Sequence, residues 1–131
     1  MPSIFTKIVN GQIPCHKILE DEHYLAFLDV RPINPGHALV IPKKEIDYIF
    51  DMDDELLAGM MVFAKKTAVL IKKEIACTKI GVMVAGIEVP HAHIHLVPIM
   101  GVHDLNFAKA KPASSDDLAK LAQKIRSHIK N

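Results

Sequence analysis

Three histidines at alternate positions, His91, His93 and His95, are the residues of this chain best suited to chemistry. Side chains along an extended strand alternate between faces, so the three imidazoles share one face while Ala92, Ile94 and Leu96 pack behind them. Rings placed side by side are costly when charged. The arrangement makes sense when neutral imidazoles accept, hold and donate protons, or attack an electrophile, near pH 7. The same residues leave a metal site open, because histidines at i and i+2 can both ligate zinc. No cysteine pair, and no carboxylate at helical spacing from a histidine, completes a conventional zinc motif. No metal and no other cofactor is therefore expected, with a three-histidine zinc hydrolase kept as an alternative. His16, His23, His103 and His128 read as surface or hydrogen-bonded residues.

The elements that must position the histidines follow from the apolar pattern. Pro90 and Pro98 suit strand ends, and the pattern predicts a strand over 88–97 preceded by one over 81–85. Residues 24–30 (Tyr-Leu-Ala-Phe-Leu-Asp-Val) read as a strand buried on both faces, and 37–41 as the next, ended by Pro42. Pro32, Asn34, Pro35 and Gly36 form the loop between them. Residues 4–9 read as a short amphipathic turn or helix closed by Asn10-Gly11, and 16–19 as extended. Leu56, Leu57, Met60, Phe63, Ala64, Ala68, Ile71 and Ile75 recur at spacings of three and four, which predicts a helix over 54–75. Its first turn is acidic and its last basic, as the helix dipole favours. Ser114 to Asp117 opens a final helix with Leu118, Leu121, Ile125 and Ile129 as its stripe. Strands grouped around one long helix, with a C-terminal helix, point to an α+β fold with an antiparallel sheet.

Composition sets the frame. The chain has 131 residues, half of them hydrophobic, enough for one domain over 1–131 with its own core. The net charge of +1 argues against a nucleic-acid partner, although a few local donors suffice to hold one phosphate. Cys15 and Cys77 form no pattern, which suggests a reducing compartment. The opening residues lack an apolar run after a basic start, and no stretch approaches the ~20 apolar residues of a membrane span. A cytoplasmic protein without membrane contact is expected.

At the histidine strand and the first hairpin the sequence resembles the histidine triad (HIT) family, whose hallmark is His-φ-His-φ-His-φ-φ with φ hydrophobic. Here it reads His91-Ala-His93-Ile-His95-Leu-Val97. Three upstream blocks occur in the family's order: residues 3–14 (Ser-Ile-Phe-Thr-Lys-Ile-Val-Asn-Gly-Gln-Ile-Pro), 27–32 (Phe-Leu-Asp-Val-Arg-Pro) and 35–43 (Pro-Gly-His-Ala-Leu-Val-Ile-Pro-Lys). The match covers residues 3 to about 98; 101–131 is a variable C-terminal extension expected to tune the leaving-group side.

The resemblance implies a homodimer with a continuous sheet, and a hydrolase or transferase acting at the α-phosphate of a purine nucleotide conjugate, either a phosphoramidate or a dinucleoside polyphosphate. It implies that His93 attacks phosphorus to form a nucleotidyl-histidine, its other ring nitrogen held by a backbone carbonyl, with His91 nearest. It implies that His95 contacts the phosphate and the leaving atom, and that His37 supports the triad from the neighbouring strand. Asp29 is implied as the ribose acceptor, although it also reads as a turn-starting acid. Phe5, Ile8 and Val30 are implied as the wall around the base, although they also read as plain core. The sequence departs from the family at two places. Ser3 and Thr6 occupy positions that carry Cys-x-x-Cys in many members, so the zinc site of some of them is not expected. The segment Val84-Ala-Gly86-Ile87-Glu88-Val89 replaces a glutamine-containing run, and Pro90 removes a backbone donor. Gly86 and Glu88 stay candidate nucleotide-binding residues within it. A non-catalytic nucleotide-binding protein remains the further alternative.

Overall fold

The computed structural model describes residues 2–130 as a five-stranded antiparallel sheet with helices on both faces. Helix α1 (Ile4–Val9) is followed by β1 (Lys17–Glu20), β2 (Tyr24–Leu28) and β3 (Ala38–Pro42), then the long α2 (Asp54–Glu74). Strands β4 (Lys79–Met83) and β5 (Ile94–Ile99) precede the final helix α3 (Ser115–Arg126). The sheet order is β1-β2-β3-β5-β4, so β5 inserts between β3 and β4 and carries His95 into the middle of the sheet.

Both faces of β2 and β3 are covered, which explains why these strands read as continuous apolar runs. Ala26, Leu28, Ala38, Val40, Ile94 and Leu96 point to one face, where Met60, Phe63 and Ile71 of α2 and Leu118 and Ile125 of α3 close the main core. Leu25, Phe27, Leu39 and Ile41 point the other way and pack with Phe5 of α1. The register Leu39↔His95 places the last triad histidine on this second face. A one-residue slip of β5 would turn His95 into the helix-facing core, so the apolar alternation itself protects the site.

The helices start where cap chemistry directs. Ser3 accepts from the Thr6 amide at 3.0 Å, Asp53 from Leu56 at 2.8 Å and Ser114 from Asp117 at 3.1 Å, each satisfying a first-turn donor. Helix α2 matches the expected span nearly to the residue. In α3, Ala122 is buried and Ile129 lies beyond the helix end, 37 % exposed, so the apolar stripe is one turn shorter than expected.

The strands around the histidines differ from expectation. Pairing with β3 begins only at Val40↔Ile94, so 88–93 is a loop and the strand is 94–99 rather than 88–97. His91 N–H turns back to Val89 O at 2.8 Å and Ala92 N–H goes to Ile46 O at 2.7 Å, which takes both donors away from a ladder. The apolar alternation survives all the same, because Ala92 shares the main core with Ile94 and Leu96. The preceding strand is 79–83, not 81–85, fixed by Lys79↔Ile99 and Met83↔His95. Pro98 sits inside β5 but beyond Ala38↔Leu96, the last pair with β3 on that side, and Asn34 Nδ2 donates to Pro98 O at 2.9 Å along that edge.

Gly36 leads into β3 with φ +92°, and a Cβ there would lie 2.9 Å from Ile75 Cγ1 and 3.1 Å from Pro98 Cγ. Conformation and space both demand glycine immediately before His37. Gly36→Ala is expected to cost about 1–3 kcal/mol in urea denaturation; a change within about 0.5 kcal/mol would contradict this packing.

Candidate active site

The hydrogen bonds of the four central histidines are set by backbone groups whose roles are fixed. His91 Nε2 lies 2.8 Å from Pro42 O, and a carbonyl only accepts, so Nε2 carries the proton and Nδ1 is bare. His93 Nδ1 lies 2.7 Å from the carbonyl of His91 and must donate to it. With Nδ1 as the donor, the free lone pair of the uncharged form of this ring lies at Nε2. His37 Nδ1 accepts the Ile33 amide at 3.0 Å, which puts the His37 proton on Nε2. That proton points at His95 Nδ1, 2.9 Å away, leaving the His95 proton on Nε2. Three of the four tautomers follow from a backbone partner with only one possible role, and that of His95 follows from His37 once His37 is set.

Among the described residues no buried side-chain nitrogen or oxygen lacks a hydrogen-bond partner. Among the described residues His93 Nε2 and His95 Nε2 have no protein partner, so both are open to the cavity that their rings line. That cavity has a volume of about 620 Å³. One nitrogen in it is a bare nucleophile and the other a donor, on rings whose centroids are 5.0 Å apart.

Phe5, Asp29, Val30, Gly86 and Glu88 join His93 and His95 on the cavity wall. Ile8 does not; it packs against the cluster of Phe27 and Leu39 behind the wall. His91 and His37 also stand behind, one braced on Pro42 and the other on His95. The Phe5 ring meets His93 edge to face at 5.0 Å and His91 at 5.7 Å, so α1 packs directly on the triad. Asp29 serves a turn as well, its Oδ1 accepting the Arg31 amide at 2.9 Å. Gly86 adopts φ +73° with no atom within 4 Å of a Cβ position, so the loop beside the triad is open.

Sequence reasoning missed several neighbours. Phe27 and Leu39 form the cavity floor, and their burial on both strand faces was the available signal. Phe107, in a short helical turn at Phe107–Lys109, meets His95 with ring centroids 4.9 Å apart. Ser3, Thr6 and Glu45 gather at His91, across 88, 85 and about 46 residues of chain (Ser3 Oγ 2.8 Å and Thr6 Oγ1 3.4 Å from His91 Nδ1). The resemblance pairs Ser3 with Thr6 as the replaced Cys-x-x-Cys, but nothing in the local pattern links that pair to Glu45 or His91.

The three triad rings do not converge on one point, since the His91 nitrogens are committed to Ser3 and Pro42. Asp29, His37 and His95 do approach, with one ligand atom each within 4.8 Å of the others. Yet the His37 nitrogen facing this group carries a proton because Ile33 N–H occupies the opposite lone pair. A metal there would have to displace that proton, so the donor set does not suit a cation.

Burial governs the charge of His37, His91 and His95. It pushes His37 down to about 4, and lowers His95 to about 4 with help from the neighbouring His37 and His93. His91 is lowered as well, chiefly by burial, and burial raises Asp29. The 3.5 Å approach of His37 Nε2 to Asp29 Oδ2 is therefore a contact between a neutral ring and a carboxylate rather than an ion pair. Unfolding restores both rings to an ordinary value near 6.5. The unfolded chain thus binds protons first as pH falls, so stability is complete above about pH 6.5 and declines toward pH 4. Urea denaturation at about pH 5 should show a loss of roughly 2–4 kcal/mol against about pH 7.5. Equal stability at both would show that the rings are not held neutral.

The HIT domain family matches residues 10–102. The adenosine 5′-monophosphoramidase hnt1 of Schizosaccharomyces pombe is 35 % identical over 141 residues, covering 99 % of this chain and 100 % of its own. A Hit-like protein involved in cell-cycle regulation from Bartonella henselae superposes with a TM-score of 0.85 at 32 % identity, over 97 % of this chain and 96 % of its own. A zinc-bound histidine triad family protein from Mycobacterium smegmatis superposes with a TM-score of 0.80 at 28 % identity, over 95 % and 90 %. With the triad, the sheet order and these likenesses in agreement, the chain belongs to the HIT domain family.

Proposed function

We propose that this protein hydrolyses a purine nucleoside phosphoramidate at its α-phosphate through a covalent intermediate on His93. The observation that carries the reading is the bare Nε2 of His93, open to the cavity and fixed in place by the 2.7 Å bond from Nδ1–H to the His91 carbonyl. The activity of the Schizosaccharomyces pombe relative, an adenosine 5′-monophosphoramidase, favours a phosphoramidate over a dinucleoside polyphosphate.

In the first step His93 Nε2 bonds to phosphorus and the P–N bond of the substrate breaks. Its electron pair stays on the departing nitrogen, which takes a proton from water and leaves as an amine. The His93 ring becomes a cation, and the His91 carbonyl, aimed at Nδ1–H, stabilises that charge as it develops. In the second step a water oxygen bonds to phosphorus, the Nε2–P bond breaks, and the water's proton returns to solvent. His95 Nε2–H donates to the phosphate throughout, held in orientation by His37. Asp29 accepts from the ribose, Phe5 and Val30 flank the base, and Gly86 and Glu88 border the phosphate.

We propose further that two copies pair along β4. This strand ends the sheet, and it exposes Val82 at 48 % with Val84 just beyond at 42 %. A reducing, cytoplasmic setting accords with the two free cysteines. Among the described residues no helix is long and apolar enough to cross a membrane.

The test is steady-state hydrolysis of adenosine 5′-phosphoramidate by wild type and His93→Ala, with and without chelator. Wild type is expected to turn over equally under both conditions, and His93→Ala to lose at least about 1,000-fold in kcat. Activity retained in His93→Ala, or abolished by chelator, would sink the covalent reading.

A further inference from the structure

We propose that Glu45 is a positioning residue for the reaction, orienting the nucleophile through Ser3, Thr6 and His91. The residue lies on the surface between β3 and α2 and does not line the cavity. Its Oε1 accepts the Ser3 amide at 2.6 Å and the Thr6 hydroxyl at 2.6 Å. One carboxylate oxygen thus gathers both ends of the first turn of α1.

The protons in this cluster have one consistent arrangement. Pro42 O takes the His91 Nε2 proton, so Nδ1 needs a donor. Thr6 has given its hydroxyl proton to Glu45 and stands 3.4 Å from Nδ1, whereas Ser3 Oγ is at 2.8 Å. Ser3 therefore donates to His91 Nδ1 while accepting the Thr6 amide at 3.0 Å. The His91 ring is then fixed at both nitrogens, and its carbonyl holds His93 Nδ1–H. The chain of contacts runs from the Glu45 carboxylate to Ser3 and Thr6, then to His91, and ends at the nitrogen opposite the one that attacks phosphorus.

Two features argue that this linkage matters beyond fastening a helix. Helix α1 has only six residues, too few to hold its own position, and its Phe5 ring packs on both His91 and His93. The anchor of α1 is therefore also the anchor of one wall of the site. The linked groups are buried where the triad is, with Ser3 and His91 both inaccessible, so displacement of either reaches His93 without a solvent gap. The hydrogen bonds from Ser3 and Thr6 also hold the Glu45 carboxyl down to about 2, so it is an ionised acceptor near neutral pH.

The kinetic part of the test rests on the phosphoramidase reading, and the spectroscopic part does not. Glu45→Ala, Glu45→Gln and Ser3→Ala are compared with Tyr24→Phe, which removes a 2.8 Å bond to Leu56 O far from the site. Adenosine 5′-phosphoramidate turnover and ring 15N spectra of the histidines are recorded for each. Glu45→Ala and Ser3→Ala are expected to lower kcat about 10- to 100-fold with KM within about threefold. Glu45→Gln, which keeps the accepting oxygen, should recover most of the rate, and Tyr24→Phe should keep it whatever its stability. The His91 Nδ1 resonance should shift in Glu45→Ala and Ser3→Ala as the hydrogen bond from Ser3 weakens or is lost, while Nε2, held by Pro42 O, keeps its proton. An unchanged kcat in both folded variants, or an unchanged His91 spectrum, overturns the proposal. Should Glu45→Ala fail to fold, Ser3→Ala decides it. Should wild type itself show no turnover, the function proposed above fails while the His91 spectra still settle the role of Glu45.

Discussion

The structure depends on imidazole rings that are buried without charge and hydrogen-bonded at fixed nitrogens. An ionised ring in this setting would lose its hydration with nothing adequate to replace it, and burial drives His37 and His95 to about 4 accordingly. A neutral ring has one donor and one acceptor, so its orientation is decided by whichever partner can play only one role. Pro42 O, His91 O and Ile33 N are three such partners, and all come from backbone at β3, its approach loop and the histidine loop. The positions of the protons are thus properties of the fold.

Strand β3 is where these constraints meet. It is buried on both faces, pairs with β2 and β5, and carries His37 just before its start and Pro42 at its end. The glycine at 36 and the side chain of Asn34 fit the chain to Pro98 of β5 at one end of this strand. At the other end Pro42 receives the proton of His91. Shifting β3 would change the tautomer of two histidines at once.

Much of this was legible in the sequence for a simple reason: period-two alternation survives any local irregularity that preserves which face a residue meets. His91, His93 and His95 were expected on one face, and Ala92, Ile94 and Leu96 do share the opposite core although 88–93 forms no strand. The strand boundaries were not legible, because they depend on which donors are diverted, and His91 and Ala92 divert theirs to Val89 and Ile46. Helix α2 was placed closely because a long stripe with acidic and basic ends is a redundant signal. Ser3 and Thr6 stand out in the sequence only as the replaced Cys-x-x-Cys pair, and no pattern ties them to Glu45 and His91, which lie about 40 and 90 residues away. Phe107 was hidden likewise, since a lone aromatic in a short helical turn has no period to betray what it covers.

In the proposed reaction His93 attacks through Nε2 because its Nδ1 proton is held by the His91 carbonyl. The most direct measurement is to trap the nucleotidyl enzyme in a single turnover and determine by NMR which ring nitrogen carries phosphorus. Phosphorus is expected on Nε2 of His93. A bond at Nδ1, or on any other residue, would contradict that mechanism.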